Sequence, residues 1–212
     1  MAQLDQTHSE SSYYINLERL IFLVDGVFAI TLTLLVLDLR LPAIDATNLG
    51  AALADLAPRL LVYLIAFYTI ANHWLIHQRN FRLVRQVDSR LVWMVFGILL
   101  CITLLPASTS IVGQFPLEKL AVACFSVNSF LLALITWISW RYLLGHTALL
   151  DVGADLGVVR SVEKIWLYIA LGGLVAVVLG FVQVLAAYAI WIVWPYLVSA
   201  WWVARLRRQA RA

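Results

Sequence analysis

The stretch Arg19-Leu-Ile-Phe-Leu-Val-Asp25-Gly-Val-Phe-Ala-Ile30-Thr-Leu-Thr33-Leu34-Leu-Val-Leu37-Asp38 is apolar throughout except for one acid, and a charge closes it at each end. An α-helix rises about 1.5 Å per residue, so a hydrocarbon core of roughly 30 Å takes about 20 residues to cross. This stretch is long enough to do so. A barrel strand would instead alternate polar and apolar residues over about 10 positions, and here every face is apolar.

The same rule carries outward along the chain. Charge-free runs lie between Arg59 and Arg79, between Arg90 and Glu118 and between Lys119 and Arg141, and the run between Lys164 and Arg205 holds two crossings with a tight turn near Gln183 to Ala187. The expected spans are 18–39, 58–79, 90–112, 119–141, 164–182 and 186–204, within a single six-helix transmembrane domain over residues 1–212. The fold class is all-α, a polytopic membrane protein built as a helical bundle. Composition agrees, since 63% of the 212 residues are hydrophobic, 13% are charged and the mean hydropathy is +0.90, well outside the soluble range.

Charge placement sets the orientation. The net charge of +3 is too small an excess in so apolar a chain to indicate a nucleic-acid partner. With the N-terminus inside, one face holds Arg19, the group Arg79, Arg82, Arg85 and Arg90, then Arg141, Arg160 and Lys164, and finally Arg205, Arg207, Arg208 and Arg211; the other holds only Arg40, Arg59 and Lys119. Cytoplasmic loops are enriched in Lys and Arg, so both termini are expected in the cytoplasm, with an even number of spans. Trp137, Trp140, Trp166, Trp201 and Trp202 stand beside basic span ends, where an interfacial belt places them. The residues before the first span carry Asp5 and Glu10 but no Lys or Arg, unlike a secretory leader. Cys101 and Cys124 lie in apolar runs and read as small hydrophobes. The C-terminal arginines read as a stop-transfer, lipid-facing anchor. Only the stretch from Gly145 to Val162 has room for a small extra element, so no soluble catalytic domain is expected.

Asp25 is the residue that needs explaining. An acid inside a span costs roughly 2.5 to 3.5 kcal/mol on insertion scales unless it finds a partner. The second span offers Asn72, His73, Trp74 and His77 at similar depth. Two readings follow: a polar clasp between the helices, which is preferred, or a proton relay or ion site. His73 and His77 share a helix face at a metal-ligand spacing, but no Glu follows the first His and no third ligand is visible, so no metal site is expected. His8 and His146 lie outside the spans and read as solvated. Further along the first helix, at 100° per residue, Ile30, Leu34 and Leu37 form one stripe with Thr33 at its border and Gly26 continuing it inward; Asp25 lies about 140° away. On periodicity alone such a stripe is ordinary helix packing.

Arg19, Asp25-Gly-Val-Phe-Ala-Ile30 and Thr33-Leu34-Leu-Val-Leu37-Asp38 resemble, in order and spacing, the first helix of the transmembrane protein 175 family. These are potassium channels whose animal members serve endosomes and lysosomes and whose bacterial members have one six-helix unit. Leu23-Val24 stands where that family has Phe-Ser before the Asp. Trp74, His77 and Phe81 resemble the Trp, His and Phe of its second helix, with Gln78 where a second His is common.

The resemblance implies a potassium-selective, leak-type channel and a homotetramer whose central pore is lined by the first helix, without a Thr-Val-Gly-Tyr-Gly filter loop. It implies Ile30 as hydrophobic gate, Leu34 and Leu37 as further pore-lining rings, and Thr33 as the hydroxyl layer favouring potassium. Arg19, Asp25, His73, Trp74 and His77 would form the polar network holding the pore helix. Membrane lipid and potassium are then the partners, no cofactor is needed, and a bacterial plasma membrane is the expected location. Asp38 either concentrates cations at the outer mouth or pairs with Arg40. Competing readings are a proton-coupled secondary transporter using Asp25 with His73 or His77, a structural membrane protein with no transport role, and a membrane-embedded enzyme. An enzyme would need a nucleophile, a metal set or paired acids, and Asp25 stands alone.

Overall fold

A computed structural model describes residues 16–39 and 49–209. Six helices run in order: α1 (Leu17–Leu34), prolonged by a 3-10 turn Leu35–Asp38, α2 (Leu49–Phe81), α3 (Ser89–Gln114), α4 (Lys119–Gly145), α5 (Leu156–Val182) and α6 (Val184–Gln209). Five contain a long apolar segment: Leu17–Leu37, Arg59–Phe81, Ser89–Gln114, Lys119–Gly145 and Leu156–Val182. In α6 the described residues include the apolar segment Val184–Val198. The pairing of Asp38 with Arg40, His8, and the side chains of Trp201, Trp202 and the C-terminal arginines lie outside the described residues.

Helix starts follow the capping rules. The Asn16 side chain accepts from the backbone N–H of Glu18 at 2.9 Å and of Arg19 at 3.3 Å. Asp88 caps α3 through Leu91 N–H at 2.9 Å and also accepts a hydrogen bond from the Tyr142 hydroxyl of α4. Asp155 caps α5 through Gly157 N–H at 2.7 Å.

Two connections define one end of the bundle. Arg85 and Gln86 donate backbone N–H groups to the Leu149 carbonyl at 2.8 and 3.2 Å, and Asp151 donates to Leu83 at 2.9 Å, so the α2–α3 and α4–α5 loops join in a β-bridge between Val84 and Leu150. The Gly145 to Val162 stretch thus holds one 3-10 turn, Thr147–Leu149, and the start of α5. Exposed Arg79, Arg82, Arg85, Arg90, Arg141, Arg160 and Lys164 surround this end. At the other end the Tyr188 hydroxyl of α6 donates to the Pro116 carbonyl at 2.8 Å, and Gln183 alone turns the chain from α5 into α6.

The closest packing is between α4 and α5. A Cβ placed on Gly173 would stand 3.2 Å from the Phe130 Cα, so glycine there allows the two backbones to approach. α1 packs on α2 and α3 at the opposite side of the bundle.

Candidate functional site

α1 has two unlike faces. Leu20, Val24, Phe28, Thr31 and Leu35, three or four residues apart, are buried. Ile30 is 60% exposed, Leu34 46% and Leu37 51%, and Gly26 and Thr33 are bare beside them. No atom lies within 4 Å of a Cβ built on Gly26. The stripe read from the sequence is therefore the side of α1 turned away from its own bundle.

The two threonines of α1 show what this division means chemically. Thr31 is buried and gives its hydroxyl hydrogen to the Val27 carbonyl at 2.8 Å; Thr33 gives its own to the Ile30 carbonyl at 2.7 Å but is exposed. With its hydrogen committed to the helix backbone, the Thr33 oxygen keeps lone pairs free on the bare face. A hydroxyl arranged this way can accept from water or face a cation.

Asp25 is half-buried between the two faces, and the Trp74 indole N–H of α2 donates to its Oδ1 at 2.8 Å. His73 and His77 lie on the neighbouring buried face of α2, among aromatic rings. His73 stacks on Phe28 at 6.0 Å between centroids and stands 4.9 Å from Trp166; His77 stacks on Phe81 at 4.3 Å and is 6.3 Å from Phe28. Neither Nε2 has a hydrogen-bond partner among the described residues. Phe28 thus packs α1 against both histidines of α2. Arg19 is exposed on the first turn of α1 and is not brought to Asp25, and Asn72 is exposed and unbonded to it. Among the described residues no three His, Cys, Asp or Glu side chains gather where a metal could bind.

A second acid–indole pair escaped the sequence reading. Glu163 of α5 is buried, and the Trp137 indole N–H of α4 donates to its Oε1 at 2.8 Å. In the sequence, Lys164 next to it marks the start of the charge-free run. The available signal was a repeated pattern: an acid about two turns into one helix and a Trp about two turns before the end of its neighbour, as in Asp25 with Trp74.

Fold and site together define a polytopic helical membrane protein with one helix clasped to its bundle along one face and left bare along the other. Residues 19–106 match the family model described as endosomal/lysosomal potassium channel TMEM175. A potassium channel of Chamaesiphon minutus is 28% identical over 166 residues, covering 76% of this chain and 82% of that protein. A potassium channel of Streptomyces collinus is 29% identical over 164 residues, covering 75% and 80%. The crystal structure of a lysosomal potassium-selective channel TMEM175 homolog from Chamaesiphon minutus superposes with a TM-score of 0.77 at 24% identity, over 87% of this chain and 97% of that one, and shows a shared fold. Over residues 19–106 the chain is similar to the TMEM175 family, and over most of its length it shares the fold of a TMEM175 homolog.

Proposed function

We propose that this chain is a potassium-selective, leak-type channel: a homotetramer in a bacterial plasma membrane, both termini cytoplasmic, with α1 of each copy lining a central pore. The relatives named above as potassium channels support the ion, and the distribution of Lys and Arg supports the orientation. The observation that carries the pore assignment is the composition of the bare face of α1. Apolar exposure by itself is neutral in lipid, but Gly26 and Thr33 on the same stripe as Ile30, Leu34 and Leu37 are the small and polar residues used where helices meet or water enters.

In this arrangement four Ile30 side chains on the axis exclude water and hold the pore shut until the ring widens. Leu34 and Leu37 extend the apolar lining. Four Thr33 oxygens, their hydrogens already committed, offer partial replacement of a hydration shell, and potassium sheds water more readily than sodium. Selectivity then comes from a weak hydroxyl layer and not from a cage of carbonyls. Asp25 bonded to Trp74, with Phe28 packed on His73 and His77, fixes the rotation of α1.

A proton-coupled transporter would instead pass protons between Asp25 and His73 or His77. That reading has less support, because Asp25 is bonded to an indole N–H, which does not titrate, and the histidines pack against aromatic rings.

Native mass measurement on the purified assembly, with flux recorded from wild type and Ile30→Asn, tests the proposal. Four copies and a larger flux in the variant are expected. A monomer, or unchanged flux in intact tetramers, removes Ile30 from the gate.

A further inference from the structure

A cavity of about 150 Å³ lies within the bundle, walled by α2 to α6. Three residues on its wall have a buried polar atom with no hydrogen-bond partner among the described residues: His73 (Nε2) on α2, Thr109 (Oγ1) on α3 and Ser129 (Oγ) on α4, which are 6%, 5% and 7% exposed. Helical hydroxyls usually give their hydrogen to a carbonyl one turn back. Thr69, Ser108, Thr136 and Ser139 do so here. Thr109 and Ser129 do not, and they occupy two different helices at the wall of one void. Buried polar atoms without partners are costly and uncommon, so two hydroxyls and an imidazole gathered in this way point to a ligand that pairs with them.

The rest of the wall narrows the ligand's chemistry. Among the described residues no Lys, Arg, Asp or Glu lines the cavity, so an ionised head group would be buried without a counter-charge. Buried Ala66, Leu105, Ala133 and Ile169 give an apolar interior. Exposed Ile65 and Asn72 of α2 and Ile192 and Tyr196 of α6 form the mouth, and these belong to the apolar segments of their helices, so entry is from the bilayer. A void of about this size in a protein interior accepts a six-carbon ring.

We propose that this cavity is a binding site for an uncharged amphiphile entering from the membrane: a compact apolar body of about six carbons carrying one hydrogen-bonding group, such as a hydroxyl, that pairs with Thr109 and Ser129. Among the described residues none of α1 lines the cavity, and its occupancy is measured without any ion current, so it stands or falls separately from the channel reading.

A diazirine-bearing hexanol serves as the photoreactive probe, applied to the reconstituted full chain, with adducts mapped by mass spectrometry. Saturable labelling of α2 and α6 residues at the cavity is expected, displaced by cyclohexanol at concentrations at which cyclohexane does not compete. Thr109→Val combined with Ser129→Ala should weaken binding about tenfold, the loss expected when hydrogen bonds worth about one log unit disappear. Ala66→Leu, which fills the void from its wall and leaves both hydroxyls in place, should remove saturable labelling and serves where the double variant folds poorly. Equal competition by cyclohexane, or labelling that neither variant changes, overturns the proposal. So does labelling found only after the assembly is dissociated, which would mean that a second copy covers the mouth.

Discussion

Two acid–indole pairs, at matched distances from their helix ends, are set in opposite surroundings. Glu163 and Trp137 join α4 to α5, where Gly173 brings the backbones close and the carboxylate is buried. Asp25 and Trp74 join α1 to α2, where the acid is half-buried and the far side of α1 is bare from Gly26 to Leu37. The same contact closes a finished core in one place and, in the other, fixes the rotation of a helix whose remaining face awaits neighbours. Under the proposed function, the uncovered side of α1 is the one on which assembly and conduction depend.

The largest effect that could break this comparison comes from one substitution made on both sides of it. Ile102, fully buried in α3, and Ile30 differ in surroundings and not in chemistry. Ile102→Asn should cost about 4 kcal/mol or more, by burying an unpaired amide and removing apolar contact, and should abolish folded yield in size-exclusion chromatography. Ile30→Asn should fold and conduct more. Comparable loss of folded protein in both would mean that α1 has no free face.

The indoles give a smaller contrast. Trp137→Phe should lower stability by about 2 kcal/mol, because it leaves a buried carboxylate without its donor, and Trp74→Phe by about 1 kcal/mol, because Asp25 retains access to other partners. Thermal unfolding in one detergent measures both, and the reverse order would put the rigid clasp on α1. The glycines sharpen the same point. Gly173→Ala forces a methyl group toward the Phe130 backbone and should cost about 1 to 3 kcal/mol, whereas Gly26→Ala meets open space within the protomer and should change its unfolding by about 1 kcal/mol at most. Equal losses would show that the stripe of α1 is already tightly covered. Last, Thr33→Val should lower the potassium-to-sodium permeability ratio several-fold while Thr31→Val, on the buried face, leaves it unchanged; equal effects would separate selectivity from the bare stripe.

Much of this architecture was legible because charges are expensive in hydrocarbon. Arg19, Arg59, Arg90 and Lys119 each stand near the start of an apolar helical segment, and a chain this apolar has few other ways to arrange its charges. Helix ends were less legible than membrane crossings, for a physical reason. α2 begins at Leu49, ahead of Arg59, and α5 at Leu156, ahead of Arg160, Glu163 and Lys164, since a helix continues past the point where its side chains reach water. The burial of Glu163 is hidden for the same reason: Arg160 and Lys164 are exposed, while Glu163 on the same turn bonds to Trp137. At the candidate site, the sequence narrowed the partners of Asp25 to four residues of one helix. Choosing Trp74 among them required the actual rotation of α2, which turns His73 and His77 toward Phe28 and leaves Asn72 exposed. The unpaired state of Thr109 and Ser129 had no sequence signal, because it depends on rotamers and on neighbours from other helices.

The central claim is that the bare stripe of α1 is a potassium-selective path. The reversal potential of purified, reconstituted protein under opposing potassium and sodium gradients tests it most directly, with Ile30→Asn recorded alongside. A reversal close to the potassium equilibrium value, with larger currents in the variant, is the predicted result. Absence of current from both proteins in assemblies shown to be intact, or a reversal indifferent to the potassium gradient, would contradict it and make proton-coupled uptake through Asp25 the next account to test.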